Sequence, residues 1–191
     1  YKKNINDFSL LYFLDNVLVA ILPASHFNHQ IISHSGSTYG GIITKKKIKF
    51  EILNEIINST LVYFKKKKFK KIIYKLTPSN FTYNLSAEEE YAISSLKNIK
   101  IYNNLNTYID LNLKINFSKL VKRNINKSLK SDLSISKNNM KEFYSILKKN
   151  LKNKYNTIPT HTLNELNYLN KKFPNQIINF NVKLKNTFLG G

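Results

Sequence analysis

Between an apolar, strand-like run and a long helical pattern the chain places His34-Ser35-Gly36-Ser37-Thr38-Tyr39-Gly40-Gly41. Glycine is scarce, five in 191 residues, so three within this one stretch mark a place where the backbone turns sharply or lies close to another group. Two readings of its chemistry are open. Small residues leave N–H groups bare at the mouth of a helix, where a phosphate or other anion binds. Alternatively, the same glycines only close a turn.

The rest of the chain gives a mixed α/β (α+β) pattern. Ser9 to Leu22 reads as two apolar strands broken at the turn pair Asp15-Asn16. Pro23 to Gln30 reads as a polar loop, and Ile31 to Thr44 as a strand carrying the glycines. Ile48, Ile52, Ile56, Leu61 and Phe64 recur at helical spacing over Lys47–Phe64, and the lysines that follow suit a helix C-terminus. Ile72–Leu76 is a strand pattern stopped by Pro78. Ser86 followed by Glu88, Glu89 and Glu90 predicts a capped helix start, the helix running to about Lys97, with one or two strands over Ile99–Leu111.

From Asn116 the pattern starts afresh. Phe117, Leu120, Val121, Ile125 and Leu129 make a helical face opposite Lys119, Lys122, Arg123 and Lys127. A strand at Leu133–Ser136, a helix from Asn138 to about Asn153, a helix capped by Thr160 or Thr162, and strands at Gln176–Leu184 and Phe188–Gly191 follow. Strand, helix, helix, strand, strand is the opening order of a mixed α/β domain. Two parts are therefore expected, residues 1–113 and 114–191. The start at Tyr1 and the stop in a strand at Gly191 predict a fragment of a longer protein.

The formal charge of +20 would ordinarily point to nucleic acid or an anionic membrane. Almost all of it is lysine, and Arg123 is the only arginine. Abundant Lys, Asn, Ile, Tyr and Phe beside absent Trp and Cys read as a compositional bias across the whole chain. Without arginine forks, sequence-specific base reading is disfavoured, while non-specific polyanion attraction at low salt remains. Absent cysteine removes disulfides, thiolate metal sites and a thiol nucleophile. No apolar run reaches the length of a membrane span.

Four passages taken together carry a resemblance: Ser33–Gly41; Ile73-Tyr74-Lys75-Leu76-Thr77-Pro78; Glu88-Glu89-Glu90-Tyr91-Ala92-Ile93; and Ile158-Pro159-Thr160-His161-Thr162-Leu163-Asn164-Glu165-Leu166. In order and spacing the chain resembles the GNAT-type acyltransferases with two tandem GNAT-like halves. That group is related to the FemAB peptidoglycan aminoacyltransferases and is met in surface-polysaccharide biosynthesis. Each passage alone is weak, and the ordered set covers nearly the whole chain. The family pattern usually has Pro where Ser35 stands, and Asp-Leu-Tyr-Ala-Leu where Glu89-Glu90-Tyr91-Ala92-Ile93 stands.

The resemblance implies a GNAT-like first half and a truncated second one, in a cytoplasmic enzyme without a metal. It would move an acyl group from acyl-CoA, acetyl-CoA foremost, to an amino group of a sugar nucleotide or cell-envelope precursor. Alone, the chain is expected to be inactive, the donor loop and its helix lying beyond Gly191. Leu189, Gly190 and Gly191 would then contact the donor, and His161 would serve acid–base chemistry or touch the acceptor. His34, Gly36, Ser37, Thr38, Tyr39, Gly40, Gly41 and Arg123 would bind the acceptor. Each has a plainer reading. His161 is equally a helix-start residue, and His34 a turn residue. Glu88–Glu90 suit the helix dipole without any catalytic role. Arg123 sits on a solvated face, and Tyr74, Tyr83 and Tyr91 are core or rim aromatics. His26 and His29 lie three apart with no third ligand near, which reads as a loop. Two rival functions stand beside acyl-CoA chemistry. One is FemAB-like transfer from aminoacyl-tRNA; the other is a non-catalytic basic module for nucleic acid or anionic lipid.

Overall fold

The structure is a computed structural model that describes residues 5–82, 86–105 and 107–190. Tyr1, Tyr83 and Gly191 lie outside the described residues. The chain is a mixed α+β protein that divides into two compact units, Tyr1–Leu105 and Asn106–Gly191.

In the first unit β1 (Leu10–Leu14) and β2 (Val17–Leu22) form the hairpin expected from Asp15-Asn16. Both turn residues adopt positive φ, 48° and 63°, as a two-residue turn with the strands' twist requires. The segment read as a polar loop is a second hairpin: β3 (Ala24–Phe27) pairs antiparallel with β4 (Gln30–Ser33). Asn28 and His29, at φ 43° and 60°, repeat the same turn geometry. The expected Ile31–Thr44 strand is cut at Ser33, because His34 enters the left-handed region at φ 47°. Only Ile43–Thr44 resumes as β5, against β2.

Helix α1 (Phe50–Lys66) presents Leu53, Ile56, Ile57, Thr60 and Phe64 inward, one stripe at helical spacing. Phe64 closes on Leu22, Ala24 and Ile31, while Leu53 and Ile57 meet Ala92 of α2 (Glu88–Ser94). Strand β6 (Lys71–Ile73) is shorter than expected and joins β4 in parallel, giving sheets β1-β2-β5 and β3-β4-β6. Ser86 accepts the Glu88 N–H at 3.3 Å, one residue outside the helix start at Ala87. Helix α2 stops at Ser94, short of Lys97. The described residues of Ile99–Leu111 form no strand. Their side chains are exposed, Leu105 at 99 %, so no neighbouring strand completes a ladder there.

The second unit opens with α3 (Lys119–Leu129), whose cap Ser118 accepts the Val121 N–H at 3.3 Å. Then come β7 (Leu133–Lys137), α4 (Met140–Tyr155), α5 (Leu163–Lys172), β8 (Phe180–Leu184) and β9 (Thr187–Gly190). The strand order is β7-β8-β9, antiparallel throughout. Asn156 ends α4 in the left-handed conformation at φ 49°. Thr162 and Glu165 form a capping box at α5, which settles the choice between Thr160 and Thr162. Among its described residues this unit buries Met140, Asn179 and Asn181. Ile135 pairs with Val182 and Lys137 with Phe180 on one face of the sheet, where Ile135 is 71 % and Phe180 50 % exposed.

Candidate functional site

Three of the four passages that carry the family resemblance meet in the first unit, around the turn after β4. Ser33, 1 % exposed, donates its hydroxyl to the Gly40 carbonyl at 3.0 Å and accepts the Lys75 N–H at 2.8 Å. The Gly40 N–H donates to the Lys75 carbonyl at 2.8 Å, so Gly40 and Lys75 bridge like strand partners. The turn itself closes with the Ser37 N–H on the His34 carbonyl at 3.1 Å. One serine hydroxyl thus joins residues far apart in the sequence.

The glycines differ in what they do. A Cβ at Gly40 would stand 2.2 Å from the Cβ of His34, closer than any side chain tolerates. One at Gly41 would stand 2.8 Å from Oε1 of Glu89 and 3.2 Å from the Tyr74 hydroxyl. Gly40 needs to be glycine because the His34 Cβ fills the space, whereas a side chain at Gly41 would displace the Glu89 carboxylate. Gly36 meets nothing within 4 Å and owes its identity to φ +86°.

Behind Gly41 lies a polar node. The Tyr74 hydroxyl donates to Oε1 of Glu89, and the Ile42 N–H donates to both the Tyr74 oxygen and Oε1 of Glu89 at 2.9 Å. Burial first, then the adjacent Glu89 charge, pushes the Tyr74 hydroxyl far above its ordinary pKa. Glu89 is therefore more than a helix-dipole acid. Glu88 differs: it accepts from Ser86 at 2.8 Å and stands 3.9 Å from Lys47. Glu90 is exposed.

On its inner side the turn is not an anion cradle. The N–H groups of Ser37, Gly40 and Ile42 are all spent on internal acceptors. Its carbonyls instead receive a cation, since the Lys75 ammonium donates to Ser37 at 2.7 Å and to His34 at 3.4 Å. The outer part of the turn, Gly36 and Thr38, is exposed, with Ser37 half-buried. Tyr39 stacks on Phe81 with ring centroids 5.3 Å apart. On the far side of α2, Phe50, Ala87, Glu88 and Tyr91 line an open depression of about 290 Å³. The Phe50 and Tyr91 rings lie 5.7 Å apart across it.

The remaining candidates belong to the second unit. His161 is half-buried immediately before the cap Thr162. Next to it, Glu165 accepts the Thr162 N–H at 2.8 Å, which holds its carboxyl below the usual carboxylate range. Arg123 is exposed on α3, while Leu189 (51 % exposed) and Gly190 lie on β9. These three sets occupy separate elements. Gly191 falls outside the described residues. His26 packs edge-on to Phe8 at 5.7 Å, and His29 occupies the second hairpin turn. Among the described residues no three His, Asp or Glu gather as metal ligands.

Sequence reasoning missed the Tyr74–Glu89–Ile42 node and the Phe50–Tyr91 depression. The signal for the first was present in two of the quoted passages, but nothing in a linear sequence pairs Tyr74 with the second of three glutamates. No family profile, curated protein or solved structure matches the chain.

Proposed function

We propose that this chain is part of a GNAT-type acyltransferase, moving an acyl group from acyl-CoA to an amino group of a sugar nucleotide or cell-envelope precursor. The observation that carries the reading is the order of the second unit. After α3 it runs β7, α4, α5, β8, β9, its three strands forming an antiparallel sheet, the order that the resemblance implies for the opening of a second GNAT-like half. The convergence of three of the four passages on Ser33, Gly40, Lys75 and Glu89 adds to it.

In this reading the acceptor amine attacks the thioester carbonyl, a C–N bond forms and the C–S bond breaks. His161 takes the proton that the amine loses and returns it to the leaving thiolate, so that free thiol departs and the imidazole is restored. Backbone N–H groups along β9 at Leu189 and Gly190 polarise the carbonyl. No covalent enzyme intermediate is needed. In the first unit Gly40 and Gly41 serve the turn's packing.

Calorimetric titration of acetyl-CoA into this chain, and into the natural polypeptide where that is longer, tests the donor assignment. Saturable one-to-one binding to the natural polypeptide supports it. No heat with acetyl-CoA, together with tight, steeply salt-dependent binding of aminoacyl-tRNA, overturns it in favour of tRNA-dependent transfer or a basic binding module.

A further inference from the structure

Helix α3 buries none of its own side chains. Leu120, Val121, Ile125 and Leu129, at 56 %, 39 %, 40 % and 78 % exposure, fall within one half of its circumference, which also carries the uncharged Asn124 and Ser128, and Phe117 (46 %) stands just ahead of the cap. At about 100° per residue, Lys119, Lys122, Arg123 and Lys127 fall on the other half, with Lys122 and Lys127 at its two borders. From Leu111 to Ser131 the sequence has no Asp or Glu. A largely apolar half bordered by cations, with the first acids in sequence at Asp110 and Asp132, has a defined physical complement.

We propose that α3 docks on an anionic phospholipid surface, lying flat among the headgroups with its apolar half in the acyl boundary. Such helices bind by buried apolar area together with attraction to anionic lipid. The border lysines suit this, since their stems lie along the apolar surface while their ammonium groups reach the phosphates. A nucleic acid would use the cations alone and leave four large aliphatic side chains in water. Charge complementarity and the bordered apolar half together select lipid. The inference does not depend on the acyltransferase reading, because no residue of the donor or acceptor assignment other than Arg123 lies on this helix.

The test is flotation of the chain with vesicles of phosphatidylcholine alone, and of phosphatidylcholine with phosphatidylglycerol as about a third of the lipid. The chain has no tryptophan, so Leu129→Trp gives a clean fluorescent reporter. Because α3 packs no core, Ile125→Asp and the pair Lys119→Gln/Lys122→Gln are expected to keep the native circular dichroism. The expected result is binding to the mixed vesicles only, with a blue shift of the introduced indole's emission on binding. Ile125→Asp weakens binding at least about tenfold, and the lysine pair roughly thirtyfold. Equal binding by Ile125→Asp, or an unshifted emission, overturns the proposal and leaves diffuse attraction of a basic protein. Emission already blue-shifted in lipid-free buffer also overturns it, the apolar half then being covered by a second copy or by the unit's own sheet.

Discussion

Replacing Glu89 by alanine removes the acceptor of the half-buried Tyr74 hydroxyl while leaving the Ile42 N–H a bond to the Tyr74 oxygen. A hydrogen bond to a charged group contributes about 1.5–3 kcal/mol. The interaction of an acid with the helix N-terminus, which Glu88, Glu89 and Glu90 share, adds about 0.3–1 kcal/mol. Glu89→Ala should therefore cost about 2–4 kcal/mol. Glu90→Ala, exposed, should cost only the dipole part, under about 1 kcal/mol. For a unit of this size the first corresponds to a fall in melting temperature of roughly 10–20 °C. Urea denaturation monitored by circular dichroism measures both. Because Tyr74 and Glu89 act as one node, Tyr74→Phe combined with Glu89→Ala should cost about 1–2 kcal/mol less than the sum of the single changes. Equal costs for Glu89→Ala and Glu90→Ala, or strict additivity in the double variant, would refute the node and return all three acids to the helix dipole.

Three further outcomes follow from the geometry. Gly40→Ala, driven into the Cβ of His34, should destabilise by about 2–3 kcal/mol, and Gly36→Ala, strained only by its φ, by about 1 kcal/mol; the reverse order in urea midpoints would contradict the packing assigned to Gly40. The folded state holds the Tyr74 proton more tightly than the unfolded state does. Stability should therefore be intact below the ordinary tyrosine value of 10.0 and fall as pH rises beyond it, more steeply in the wild type than in Tyr74→Phe; parallel pH profiles would argue against a buried neutral hydroxyl. Thr162→Ala opens the capping box of α5 and should cost about 1 kcal/mol. Glu165→Ala in that background should add little, and full additivity by thermal denaturation would count against a reciprocal cap.

Legibility in the sequence followed chemical locality. The first hairpin was readable because two apolar runs flank Asp15-Asn16, residues that accept positive φ cheaply. The second was hidden because Asn28-His29 sits among polar residues, so the alternation marking a strand is absent although the backbone geometry is the same. Ile99–Leu111 shows the converse: β-branched and aromatic residues make strand propensity there, but with no partner strand they stay exposed. The order of the second unit was readable from periodicity and from the Thr162–Glu165 spacing, both local signals. What could not be read was the direction in which the glycine turn uses its polar groups. Ser33 and Lys75 decide that, and they meet only through the parallel pairing of β4 with β6.

Acyl transfer itself is the most direct test. The natural polypeptide is incubated with acetyl-CoA and a panel of nucleoside-diphosphate amino sugars, with release of free CoA thiol followed against controls lacking the amine. The reading predicts amine-dependent thiol release and an acetylated product by mass spectrometry, reduced about a hundredfold or more by His161→Ala. Thiol release that ignores both the amine and His161, or none at all while aminoacyl-tRNA is consumed, would contradict it.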